Sequence, residues 1–262
     1  MIRILYIGDI VGQPGRTALL RKLNPVVDRE KVDFTIVNIE NAAGGFGVTE
    51  AILDELSDLP INLYTSGNHI WDKKDFVERL DDLDNIIRPA NYPVGNPGRG
   101  SAVKTTAAGV KVGVLQLMGN VFMPPCDNPF HVAETELKKL DPSVKVIVVD
   151  IHCEATSEKQ AIGRMLDGRV SAVVGTHTHV PTADERILPK GTAFQTDVGM
   201  TGAYDSIIGF RPEEIIDRFV FNTPRKMEPA KRDVRLTGAL IEVDETTGLA
   251  SSIRRISERL DD

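Results

Sequence analysis

Short apolar runs rich in β-branched residues recur along this chain, each followed by a longer amphipathic stretch. That rhythm marks βαβ units, which bring strands into parallel and cover the sheet with helices. The strands it predicts are Ile2–Ile7, Phe34–Ile39, Ile61–Thr65, Val110–Leu117, Val144–Ile151 and Val170–Gly175. Several are apolar at consecutive positions, so both faces are expected to be covered. The helices it predicts are Arg16–Glu30, Glu50–Leu56, Lys73–Leu80, Val132–Leu140, Glu158–Leu166 and Pro212–Arg218, with Thr49 and Ser157 as N-caps of the second and fifth. The last third changes character. Thr182–Leu188, Thr192–Thr196, Arg235–Val243 and Ala250–Ile256 read as strands joined by turns such as Asp244–Gly248. An antiparallel region completing a second sheet or an edge is expected there.

At 262 residues and 41% hydrophobic, the chain suits one α/β domain spanning 1–262 that needs no disulfides to stay folded. Cys126 and Cys153 show no paired spacing, and no leader-like or membrane-length segment is evident, so a reducing cytoplasm is the expected compartment. A formal net charge of −7 disfavours extended nucleic-acid binding. It leaves room for a small anion, because bound cations invert the local field.

The polar residues fall in telling places. Asp9 ends the first strand, Glu40 and Asn41 the second, and Asn68 and His69 follow the third. His152 ends the strand Val144–Ile151, and His177 and His179 follow the next one. Parallel strands deliver their carboxyl ends to one edge, where open α/β sheets bind ligands. Taken singly, each residue has a plain structural reading: Asp9 a helix cap, Asn68 a turn residue, His152 a buried histidine. Taken together, carboxylate and amide oxygens mixed with imidazoles fit borderline divalent ions such as Mn²⁺, Fe²⁺ or Zn²⁺. No thiolate cluster points to a structural zinc site. Glu40 is the natural bridge in a two-metal site, whose ions lie ~3.5–4 Å apart and clamp a phosphoryl group.

Gly67-Asn68-His69 and Gly175-Thr176-His177-Thr178-His179 resemble signatures of the calcineurin-like metallophosphoesterases. The usual Asp-x-His reads Asp9-Ile10-Val11 here, and Glu40-Asn41 stands where a Gly-Asp pair is usual. That variant pattern resembles the YmdB-like phosphodiesterases. It extends through Gly8–Gly12 with Gly15-Arg16, Asn38–Asn41 with Gly44-Gly45, Gly67–Asp72, Asp127–Phe130 and Thr196–Gly202. The resemblance implies a four-layer α/β/β/α sandwich and a dinuclear centre. One metal would take Asp9, Glu40, Asn41 and His179, with Asn41 covering for the histidine absent at Val11. The other would take Glu40, Asn68, His152 and His177. The implied activity is hydrolysis of small phosphodiesters, 2′,3′-cyclic or 3′,5′-cyclic nucleotides, and the oxygen-rich first site favours Mn²⁺ or Fe²⁺ over Zn²⁺.

The mechanism expected is attack by a metal-bridging hydroxide on phosphorus, with His69 as general acid at the leaving-group oxygen. Arg16, after Gly12-x-x-Gly15, is a candidate phosphate contact at a helix N-terminus, or a plain first-turn charge. Met200, Thr201 and Gly202, with Asp205, are candidates for a substrate-facing loop, or for a tight structural turn that explains the glycines as well. Phe130 and Tyr204 could stack on a base, with core packing the default, and Trp71-Asp72 are expected to pack and cap the helix that follows. His131 has no argument linking it to the rim. Two other functions compete: a phosphomonoesterase or nuclease on the same scaffold, and a metal-bound regulatory protein sensing nucleotides or contacting an RNA-processing partner. No membrane association is expected, and a homo-oligomer is compatible with the sequence.

Overall fold

Side chains alternate across each strand with a period of two, and in this chain the alternation sorts the apolar residues into three cores separating four layers. The computed structural model describes residues 1–260. In chain order it runs through β1 (Ile2–Ile7), β2 (Asp9–Ile10), α1 (Gly12–Glu30), β3 (Phe34–Asn38), α2 (Glu50–Glu55) and β4 (Leu63–Thr65). A 3₁₀ turn at Asn68–Trp71 leads to α3 (Lys74–Val77), β5 (Ser101–Thr105), β6 (Lys111–Met118), α4 (Pro129–Lys139), β7 (Val146–His152), α5 (Thr156–Leu166) and β8 (Ala172–Thr176). The rest comprises β9 (Arg186–Ile187), β10 (Ala193–Gln195), β11 (Met200–Ala203), α6 (Pro212–Phe221), β12 (Val234–Val243) and β13 (Ala250–Arg259).

One sheet has the order β2-β11-β12-β1-β3-β4, with β13 on the other side of β12; the second has the order β5-β6-β7-β8-β10-β9. Ile4 and Tyr6 of β1, Phe34 and Ile36 of β3, Val112 and Val114 of β6, and Val146 and Val148 of β7 meet in the core between the sheets. The alternate residues point outward: Leu5 and Ile7 to α1, α2 and α3, Val149 and Ile151 to α4 and α5. The α/β/β/α sandwich implied by the resemblance is therefore present, and it explains the consecutive apolar positions of the central strands.

The structure revises several expectations. The antiparallel region expected in the last third is divided between the sheets: β9 pairs antiparallel with β10 at the end of the second, while β12 joins the first, antiparallel to β1 from Ile2↔Val243 to Ile7↔Gly238. It can lie there because Gly238 lets the Tyr6 carbonyl approach to where a Cβ would stand 2.0 Å away. Residues 200–203 form β11 rather than a loop, parallel to β2 and antiparallel to β12, and all four are buried. Ser157 lies inside α5, whose N-cap is Ala155, and Thr49 holds the N-cap of α2 without a side-chain bond. The strands β6, β7 and β8 end one residue later than predicted, so His152 and Thr176 are held in register within the sheet. Among the described residues no helix is long and apolar enough to cross a membrane.

Candidate metal centre

β1, β3 and β4 run parallel in one sheet, and β6, β7 and β8 run parallel in the other. Their carboxyl ends deliver the polar residues singled out from the sequence to one place. Donor atoms of Glu40, His152 and His177 lie within 4.8 Å of one another, as do those of Asp9, Glu40 and His179. Glu40 is common to both groups. His152 Nε2 stands 3.1 Å from Glu40 Oε1 and 3.1 Å from Asn68 Oδ1, and His177 Nδ1 stands 3.1 Å from His152 Nε2. On the other side His179 Nε2 is 3.3 Å from Asp9 Oδ2, which also accepts the His177 N–H at 2.9 Å.

The donor set suits a cation on two grounds internal to the structure. Asp9 Oδ1, Glu40 Oε1 and Asn41 Oδ1 are buried oxygens with no hydrogen-bond partner, although Glu40 Oε1 is close to His152. A buried acceptor left unsatisfied costs about 1–3 kcal/mol, and three in one cluster point to a ligand that takes lone pairs. Asn41 is turned for that role, since its Nδ2 donates to the Gly45 carbonyl at 2.9 Å. The second ground is charge. Burial alone would raise the Glu40 carboxyl, but the charge of His152 beside it holds it well below the ordinary carboxylate range. Burial would discharge His152 and His179, yet Glu40 and Asp9 respectively raise both above the usual imidazole value. Burial and the neighbouring His152 depress His177 to about 3, leaving it neutral with a lone pair to share. The two carboxylates thus favour positive charge on the groups that face them.

Residues behind the donors orient them. Thr176 pairs with His152 across β7 and β8, and Gln116 with Asp150 across β6 and β7. Thr176 donates its hydroxyl hydrogen to Asp150 Oδ1 at 2.7 Å, so it accepts from His152 Nδ1–H at 2.8 Å, which turns Nε2 toward the cluster. Asp150 also accepts from the Tyr6 hydroxyl at 2.5 Å and from Gln116 Nε2 at 2.8 Å. Burial pushes the Asp150 carboxyl up to about 6. Sequence reading passed over Asp150; its signal was a lone carboxylate in an apolar strand, two residues and therefore one face from His152.

His69 stands at the rim. Its backbone N–H donates to Glu40 Oε2 at 3.1 Å, its Nδ1 lies 2.8 Å from Asp72 Oδ2, and Phe46 meets its ring edge-on at 5.0 Å. Asp72 is thus more than a helix cap: one 3₁₀ turn after His69, it engages the imidazole. Phe46 stacks in turn on Phe210 at 5.3 Å.

Other candidates are spent elsewhere. Arg16 donates to Glu55 Oε2 at 2.8 Å and to the Ala42 carbonyl at 2.7 Å, which ties α1 to α2 and to the loop after β3. The loop reading of Met200, Thr201 and Gly202 gives way to strand β11, where Thr201 exchanges hydrogen bonds with Thr237 and Met200 is buried. Tyr204 donates to the Met200 carbonyl and lies under Arg235, Phe130 packs against the outer core of the second sheet, and Asp205 pairs with Arg232. His131 is exposed on α4.

Comparison with known proteins gives a consistent picture. The profile of a family described as YmdB-like protein matches residues 5–256. The chain is 48% identical over 255 residues to a 2′,3′-cyclic-nucleotide 2′-phosphodiesterase of Bacillus subtilis, covering 97% of this chain and 96% of that one. It is 35% identical to a putative phosphatase/phosphodiesterase of Mycoplasma pneumoniae, over 94% of this chain and 89% of the relative. Among solved structures it resembles a hypothetical protein from Thermus thermophilus, with a TM-score of 0.92 and 39% identity over 98% of this chain and 99% of the other. It also resembles a novel phosphatase from Mycoplasma pneumoniae, with a TM-score of 0.93 and 34% identity over 100% and 94%.

Proposed function

The chain belongs to the YmdB-like family, and from that membership and the donor cluster we propose that it is a metal-dependent phosphodiesterase of small cyclic nucleotides, with 2′,3′-cyclic forms the first substrates and 3′,5′-cyclic forms the second. The observation that carries this reading is Glu40, shared by two donor groups with a buried oxygen that no hydrogen bond satisfies. One divalent ion would be held by Asp9, Glu40, Asn41 and His179, the other by Glu40, Asn68, His152 and His177, with Mn²⁺ or Fe²⁺ favoured over Zn²⁺. Such ions, when bound, bring a water's pKa down to roughly 7 and draw charge from the phosphoryl oxygens.

The chain's own residues do the rest. Glu40 and Asp9 fix the donors from two adjoining strand ends, and Asp150 through Thr176 sets the tautomer of His152. His69 gives a proton to O2′ as the P–O2′ bond breaks and a water oxygen joins phosphorus, leaving a 3′-monophosphate. With Nδ1 engaged by Asp72, Nε2 is the nitrogen available for that transfer. No protein nucleophile is needed, and burial pushes the Cys153 thiol far up, away from the reactive thiolate form. Initial rates with Mn²⁺ on 2′,3′-cyclic AMP, 3′,5′-cyclic AMP and a simple phosphomonoester test the proposal. The expected order is 2′,3′-cyclic first and monoester last; turnover of the monoester equal to or above that of the diesters would overturn it.

A further inference from the structure

Between Thr176 and His179 the backbone takes a course that its own residues do not favour. His177 has φ +95° and His179 φ +64°, a left-handed region that side chains other than glycine seldom occupy. Something outside the turn must hold it. Directly behind it lie Lys159, 0% exposed, and Asp197, 1% exposed, with Nζ and Oδ2 2.7 Å apart. Lys159 donates its second bond to the Thr176 carbonyl at 2.7 Å. Asp197 Oδ2 accepts both the backbone N–H of Thr178 at 3.1 Å and its hydroxyl at 2.8 Å. Its other oxygen accepts the Gly199 N–H at 2.8 Å. The residues on both sides of His177 are therefore tied to one ion pair, carried by α5 and by the strand-end segment after β10.

We infer that the Lys159–Asp197 pair is a positioning device for the metal centre, holding the Thr176–His179 turn so that the rings of His177 and His179 reach Glu40 and Asp9. Neither member contributes a donor atom to the cluster. A buried ion pair adds little to stability over a well-packed apolar pair of similar volume, so its contribution lies in the direction it imposes on Thr176 and Thr178. The inference rests on the metal-centre reading above.

Equilibrium dialysis against Mn²⁺, alongside thermal denaturation of the EDTA-stripped proteins, tests it on wild type, Thr178→Val, Thr178→Ser, and a double variant Lys159→Met/Asp197→Asn that removes both charges together. Wild type is expected to take up about two Mn²⁺ per chain. Thr178→Val loses the hydroxyl bond to Asp197 and binds ~10–100-fold more weakly at an unchanged melting temperature, as for other residues that orient metal ligands. Thr178→Ser restores affinity, and the double variant is weaker still. Wild type loaded with Mn²⁺ while Thr178→Val and the double variant match it would overturn the positioning role. So would an affinity loss seen only where the melting temperature also falls. Failure of the wild type to take up any Mn²⁺ would instead bring down the metal-centre reading and this inference with it.

Discussion

His69 lies with one ring nitrogen on Asp72, its ring against Phe46 and its backbone on Glu40, so three contacts fix it beside the cluster without making it a donor. A group in that position matters in proportion to how badly the leaving oxygen needs a proton. His69→Asn is therefore expected to lower kcat by ~10²–10⁴-fold for a cyclic nucleotide or other ester with a poorly activated leaving group. On a p-nitrophenyl diester the loss should be small, and the metal content should not change. Steady-state rates on both substrates, with metal analysis of the variant, decide the matter; equal losses on both would remove His69 from the role of acid. At this scale the sequence was informative about donors because a charged or imidazole residue at the end of an apolar strand stands out: Asp9, Glu40, His152 and His177 are each visible that way. It was uninformative about their supports. Asp150 lies in an apolar strand too and Lys159 in the polar first turn of α5, but what they do depends on which side chain lies across the sheet or behind the turn, and neither partner is near in sequence.

Strand ends bring the donors together, and the close approach between two of those ends has its own requirement. Gly67 passes between Glu40 and His152, where a Cβ would stand 2.2 Å from Glu40 Oε2 and 2.4 Å from His152 Nε2. Its φ of 179° is ordinary extended backbone, so the demand is for space and not for a special conformation. Gly67→Ala is expected to abolish metal uptake by pushing Glu40 and His152 apart, while far-UV circular dichroism stays as in wild type because the clash is local to side chains at the rim. Inductively coupled plasma analysis of the purified variant, set beside its spectrum, checks this; full metal occupancy would show that the cluster is looser than the geometry implies. Among the elements, those with a marked apolar pattern were legible: β1, β3, β6, β7, β8 and the helices α1 and α5 lie where apolar pattern puts them, within about four residues at their ends. The short strands β2, β5 and β11 were not. Length alone does not separate them from β3 and β8, which have five residues, or β4, which has three; β11 in particular is a strand because β2 and β12 offer it partners on both sides, so a stretch that reads as loop is buried and paired.

Across the whole molecule, two sheets and their helices converge on a cluster that holds two buried carboxylates and three unsatisfied oxygens, which the fold must tolerate when no cation neutralises them. Binding to the native state alone stabilises by RT ln(1 + [L]/Kd), about 2.7 kcal/mol at a hundredfold excess over Kd. For a chain of this size that corresponds to a rise in Tm on the order of 5–10 °C. The protein stripped with EDTA is therefore expected to melt that much below the Mn²⁺-loaded form, and differential scanning fluorimetry across a Mn²⁺ titration reads it directly; a flat titration would count against the cluster as a cation site. The sequence by itself determined the α/β class, the parallel strand ends and the residue types gathered there, because periodicity and composition act locally and are written in every segment. The four-layer stacking was legible only through the family resemblance. Only the tertiary structure decided that β12 enters the first sheet, that Glu40 lies within reach of both donor groups, and that Asp150, Thr176, Lys159 and Asp197 stand behind the histidines. Those are relations between segments far apart in the chain, fixed by register and by layer packing, and no local pattern carries them.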